Sequence, residues 1–176
     1  MNAMRVRTGK VRFSYAHVWE PSSFEEGQEK KYSVTLLISK KDKKTLAVIN
    51  AAIEAAKKEY KERAGVEYNP KTMWFPLRDG DEDKPDNEEY EGCYYLVAKN
   101  TRKPQIVDAD RDEILDKEEF YSGCYGRAIV TFFPYYKKGK GIAASLGNLQ
   151  KLEDGERLGA EATKAEDDFA DDDDLF

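Results

Sequence analysis

The chain has 176 residues, enough for one domain with a substantial core, and 36% of them are charged. No apolar run approaches the roughly 18 residues a transmembrane helix needs, so no membrane partner is expected. Two isolated cysteines, Cys93 and Cys124, and the single histidine His17 give no disulfide scaffold and no zinc set, and no cofactor is expected.

The N-terminal MNAMRVRTGK lacks the apolar segment of a secretory signal, which predicts a cytoplasmic location. The formal net charge of −6 hides a segregation. Residues 153–176 carry −9, residues 79–91 carry −7 and residues 108–119 carry −5, so the rest of the chain carries +15. A basic body with its acid gathered into loops and a tail keeps nucleic acid open as a partner despite a low isoelectric point.

In chain order, a first strand is predicted over Val6–Trp19. Val11, Phe13, Tyr15, His17 and Trp19 alternate with Lys10, Arg12, Ser14 and Ala16, which puts the first row in the core. A loop with Ser22, Ser23 and Gly27 follows, then a strand over Lys31–Ser39. From Lys43 to Ala64 the period changes: Leu46, Ile49, Ile53, Ala56 and Tyr60 recur at three and four, the spacing of an amphipathic helix. Asp42 is placed to cap its start and Gly65 to end it. Two prolines make Tyr68–Leu77 an extended segment, in which Trp74 either stacks on a base or plugs the core.

Residues 79–91 (DGDEDKPDNEEYE) read as a mobile acidic loop that buries nothing. Cys93–Lys99 reads as a third strand, with Arg102 and Lys103 in the turn after it, and Pro104–Val107 as a short fourth. Within DADRDEILDKEE, Asp108, Asp110, Asp112, Asp116 and Glu119 have calcium-loop spacing, but Glu113 stands where that loop needs glycine. An exposed acidic connector is the plainer account.

Two long strands close the ordered part, about Tyr125–Tyr136 and Ile142–Leu152, joined by the basic turn Lys137-Lys138-Gly139-Lys140-Gly141. Alternation sets Arg127, Phe133 and Tyr135 on one face and Val130, Phe132 and Tyr136 on the other. Residues 160–176 end in EDDFADDDDLF, a like-charge run expected to stay disordered, with Leu175-Phe176 as a docking peptide.

Aromatic-rich strands, a basic hairpin tip and one interrupting helix match an OB-like barrel: mainly β with one or two helices, residues 1–159, followed by the tail. Single-stranded DNA needs rings for bases and cations for phosphates. The phosphate candidates are Lys10, Arg12, Lys99, Arg102, Lys103, Arg127, Lys137, Lys138 and Lys140; the stacking candidates are Trp74, Phe133 and Tyr135. Asp171, Asp172, Asp173, Asp174, Leu175 and Phe176 form the docking tail, and a second copy of the chain is a candidate partner. No phosphate loop, HExxH or GxSxG supports an enzyme.

The segments GKVRFSY (Gly9–Tyr15), Trp19-Glu20-Pro21, YSGCYGR (Tyr121–Arg127), FFPY (Phe132–Tyr135), GKGIAASLGNLQKLEDGERLG and AEDDF resemble a phage and prophage family of single-stranded DNA-binding proteins, the Enc34 type. The resemblance implies an OB fold and DNA binding without sequence preference. It also implies a role in phage replication or recombination, with replication proteins as partners; the tail further resembles the acidic tails of other replicative single-strand binders. The long acidic stretch at 79–91 departs from that family pattern. The rival accounts are a phage adaptor that binds a host protein through its tail, and a metal-dependent nuclease using the carboxylates of 108–119.

Overall fold

The computed structural model describes residues 2–23, 25–137 and 139–158. The elements run β1 (Arg5–Arg7), β2 (Val11–Ser22), β3 (Lys31–Ser39), α1 (Lys43–Ala64), β4 (Arg78–Asp79), the one-turn helix α2 (Gly80–Asp83), a 3-10 turn at Glu88–Tyr90, β5 (Cys93–Asn100), β6 (Ile106–Val107), β7 (Tyr125–Tyr135) and β8 (Gly141–Glu153). The strands close on themselves in the order β2–β3–β5–β8–β7 and back to β2, with β5 and β8 parallel and the other contacts antiparallel. This five-stranded ring is the OB-like architecture expected of the sequence.

The first strand is divided where the sequence predicts one continuous run. At the break, Thr8 Oγ1 accepts from the Ala128 amide, and the Gly9 amide donates to Thr45 Oγ1. A Cβ on Gly9 would lie 2.6 Å from that hydroxyl, so only glycine lets helix and strand approach this closely. β1 and β2 then pair with successive stretches of one edge of β7.

The ring interior is filled from every strand: Phe13 and Val18, Val34, Leu36 and Ile38, Leu96 and Ala98, Ala128, Val130 and Phe132, Ile142, Leu146 and Leu149 are all buried. Phe120 enters the same core and its ring lies 4.9 Å from that of Phe13. Helix α1 covers part of it with Leu46, Ile49, Ala52, Ile53, Ala56 and Tyr60, packing on β7 and β1. Asp42 caps the helix by accepting from the Thr45 amide at 3.1 Å, and Gly65 ends it at φ 75°.

Three further expectations change. β2 carries a bulge: its pairing with β3 jumps between Ser14 and His17, and Tyr15 has φ 46°. The extra residue flips the alternation, so Tyr15 and His17 face outward while Val18 takes the core place. Second, residues 79–91 are folded rather than a free loop, with Tyr90 only 3% exposed. Third, the acidic connector at 108–119 is partly built in, since Ile114 is buried and Asp108 Oδ1 accepts from the amides of Asp110 and Asp112. The tail 160–176 lies outside the described residues.

Candidate nucleic-acid interface

Where β3 meets β5, alternation sends Val34, Leu36, Ile38, Leu96 and Ala98 inward, so the register pairs Ser33–Lys99, Thr35–Val97 and Leu37–Tyr95 lie on the outer face. The bulge in β2 adds Tyr15, 53% exposed, and His17 beside Ser33. His17, Lys31, Ser33 and Lys99 line a cavity with Ser22, Ser23, Gln28 and Glu29, which come from the end of β2 and the loop after it. Burial, and secondarily the neighbouring Lys31 charge, push the Lys99 ammonium below the ordinary lysine range. The two cations share this cavity with the Glu29 carboxylate.

A second cluster forms at the β7–β8 hairpin. The Trp74 amide donates to the Lys140 carbonyl at 3.0 Å, and the Trp74 carbonyl accepts from the Ile142 amide at 3.1 Å and the Tyr68 hydroxyl at 2.6 Å. These bonds hold Trp74 against Gly141, where any Cβ would lie 2.7 Å from the Trp74 backbone. The Trp74 ring is half exposed, and the Arg78 guanidinium lies 4.8 Å from its centroid. Arg78 is held there by Asp83, which accepts from its Nε at 2.9 Å. Tyr135 pairs with Gly141 and Phe133 with Ala143, so two further rings border the small residues that start β8. Lys137 and Lys140 are exposed at the tip; Lys138 lies outside the described residues. Tyr136 packs instead on Tyr60 of the helix, 5.0 Å between centroids.

The acidic insertion borders this surface. Asp79 and Asp81 both bind Lys40 at 2.7 Å, Asp83 also accepts from the Tyr95 hydroxyl, and Glu89 accepts from Ser14. Tyr90 sets its ring edge-on to Tyr95 at 5.1 Å. The insertion thus packs on the Ser14–Tyr95 end of the β2–β3–β5 face, away from the Lys99–Ser33–His17 row at the other end.

The predicted phosphate candidates are not all in one place. Lys99 joins the first cavity, and Lys137 and Lys140 the hairpin tip. Lys10 pairs with Glu153 at 2.5 Å, while Arg12 donates to the carbonyls of Gly123 and Glu156 and lies over the Tyr125 ring. Both therefore sit where the end of β8 and the segment after it cross the start of β7. Arg127 is exposed on β7 opposite Gln150. Arg102 and Lys103 line a separate groove with Arg5, beside β7 and β8. Tyr15, His17, Lys31, Arg78 and Arg5 also lie on these surfaces and were not among the sequence candidates. Only Arg78, four residues from Trp74, carried a local hint.

A sequence-family profile described as "Enterobacter phage Enc34, ssDNA-binding protein" matches residues 4–176. The chain belongs to that family. Among relatives of this Enc34-family protein, "Putative protein p50" of Acyrthosiphon pisum secondary endosymbiont phage 1 is 31% identical over 159 residues, 87% of this chain and 85% of that one. The solved single-stranded DNA-binding protein of bacteriophage Enc34, in complex with ssDNA, superposes with a TM-score of 0.79 at 32% identity, covering 89% of this chain and 90% of that one. The bacteriophage T7 single-stranded DNA-binding protein gp2.5 shares the fold, with a TM-score of 0.58 at 16% identity over 93% of this chain and 99% of that one.

Proposed function

We propose that this Enc34-family protein binds single-stranded DNA, without sequence preference, on the outer face of the ring. The observation that carries it is the composite surface: Lys31, Lys99 and His17 around one cavity, and Trp74 under Arg78 at the basic hairpin tip. Rings take bases by their faces and cations take phosphates, and neither reads base edges. The match to a relative solved with ssDNA supports the same ligand. Binding, rather than strand chemistry, is its activity, and the setting is phage replication or recombination in the host cytoplasm. No helix among the described residues is long and apolar enough to cross a membrane.

The acidic tail completes the proposal. Asp171–Asp174 compete for the cationic surface as a tethered anion, and DNA displaces them, releasing Leu175-Phe176 to protein partners. Fluorescence anisotropy of labelled oligo-dT, with the full chain and with residues 160–176 deleted, tests both parts across a salt series. Binding should weaken by about 0.7 log units per log of salt for each phosphate contacted, and the deletion should tighten it at low salt. Unchanged affinity after deletion removes the competitor role. No binding by either chain at low salt favours the adaptor account, and magnesium-dependent cleavage abolished by Asp110→Ala favours the nuclease account.

A further inference from the structure

The strand registers place one cross-strand row on the outside of the ring. Arg5 of β1 pairs with Thr131 of β7, Thr131 with Ser145 of β8, Ser145 with Lys99 of β5, Lys99 with Ser33 of β3, and Ser33 with His17 of β2. Six strands side by side span about 24 Å at roughly 4.8 Å per gap. The row is cationic at one end and in the middle, has the histidine at the other end, and carries only hydroxyl residues between. The His17 end opens into the cavity already described. The Arg5 end opens into the second groove, lined also by Arg102, Lys103, Asn100, Gly147 and Asn148.

That groove has the character of a phosphate track. Its floor is kept low by Gly147, where a Cβ would lie 2.9 Å from the Ile129 side chain and carbonyl. Its wall is fixed by Asn100, whose amide donates to the Leu146 carbonyl at 2.9 Å, and by Asn148, whose Oδ1 accepts from the Gln105 amide at 3.0 Å. With its oxygen so used, the Asn148 side chain keeps its NH2 donors for another acceptor. Arg5 and Arg102 make no side-chain ion pair among the described residues, and the Lys103 ammonium lies over the Trp19 ring at 5.7 Å. Three cations without a carboxylate partner among the described residues, around a glycine floor, suit a backbone of repeating phosphates better than a compact ligand.

We infer that this groove is a second segment of the single-stranded DNA path, reached along the Arg5–His17 row, so that one strand crosses β2, β3, β5, β8, β7 and β1 in turn. Arg5, Arg102 and Lys103 hold phosphates of the nucleotides beyond those in the His17–Lys99 cavity. The inference rests on the proposed function and extends it from the β2–β3–β5 face to all five strands of the ring and β1.

The test uses the full chain carrying Arg5→Gln, Arg102→Gln and Lys103→Gln. Its affinities for oligo-dT of about 4 and about 16 nucleotides, the bounds of OB-fold site sizes, are compared with those of the parent. A control chain, Lys41→Gln, Lys44→Gln and Lys58→Gln, removes equal charge from the exposed surface at and just before α1. The inference predicts unchanged affinity for the short strand. For the long strand it predicts a loss of tenfold or more, with a salt slope smaller by about 2, and near-parent behaviour of the control. Equal loss on both lengths, or equal loss in the control, reduces the groove to general electrostatics and overturns the inference. An unchanged long-strand affinity overturns it as well. If the parent chain binds neither length at low salt, the proposed function itself fails and the extension falls with it.

Discussion

Phe132 and Phe133 are neighbours in sequence with opposite surroundings. Phe132 is fully buried inside the ring, whereas Phe133 is 40% exposed beside Ala143. Phe132→Ala should therefore lower unfolding stability by about 3–5 kcal/mol, measured by chemical denaturation. Phe133→Ala should change stability by roughly 0.5 kcal/mol or less, and weaken single-strand binding by about 1–3 kcal/mol. Lys99 supplies a pH dependence. Its ammonium is held below the ordinary value of 10.5 in the free protein, and a bound phosphate favours the charged form, so binding takes up a proton once the free group begins to lose its own. Affinity should fall as pH rises toward 10.5, starting below it. Lys99→Arg, whose charge persists throughout, should flatten that part of an anisotropy pH profile. An identical decline in both chains would remove Lys99 from the account.

Among the elements, helix α1 and the β7–β8 hairpin were legible in the sequence, for physical reasons. The helix has an unbroken three–four spacing with Asp42 and Gly65 at its ends, and the hairpin has long alternating strands around a glycine-bearing turn. The bulge in β2 was not legible, because Tyr15 and His17 continue a perfect alternation and one inserted residue reverses their direction. The insertion at 79–91 was misjudged because its counter-charges lie outside it, on the distant Lys40 after β3 and on Arg78, which directly precedes it. Asp79, Asp81 and Asp83 are all held below the ordinary carboxylate range, the first two chiefly by Lys40 and the third by Arg78. A depressed carboxylate contributes its stability above the unfolded value near 3.8 and loses it as pH falls through the lower folded value. Acidification below about pH 4 should therefore release the insertion before the ring opens. Hydrogen exchange should show faster amides over 80–92 while β3 and β5 stay protected. Simultaneous exchange of both would show that these pairs do not hold the insertion.

At the scale of the whole molecule, the ring segregates its charges in space as the sequence does along the chain. The acidic insertion covers one end of the β2–β3–β5 face, where Asp83 holds Arg78 beside Trp74, and the Lys99–Ser33–His17 row lies at the other end. The basic character of the body was readable by counting, but the division of its cations between two cavities was not. Lys10 and Arg12 look equivalent to Lys99 in sequence, yet β2 carries them to the far end of the ring, where Glu153 and backbone carbonyls bind them. The central claim is that single-stranded DNA lies on this outer face. Its most direct test is to titrate the isotope-labelled full chain with oligo-dT and follow amide and indole NMR shifts. The account predicts shifts at Tyr15, His17, Ser33 and Lys99, and at the Trp74 indole, with little change along the exposed side of α1. Shifts confined to α1, or none at any DNA concentration, would contradict it.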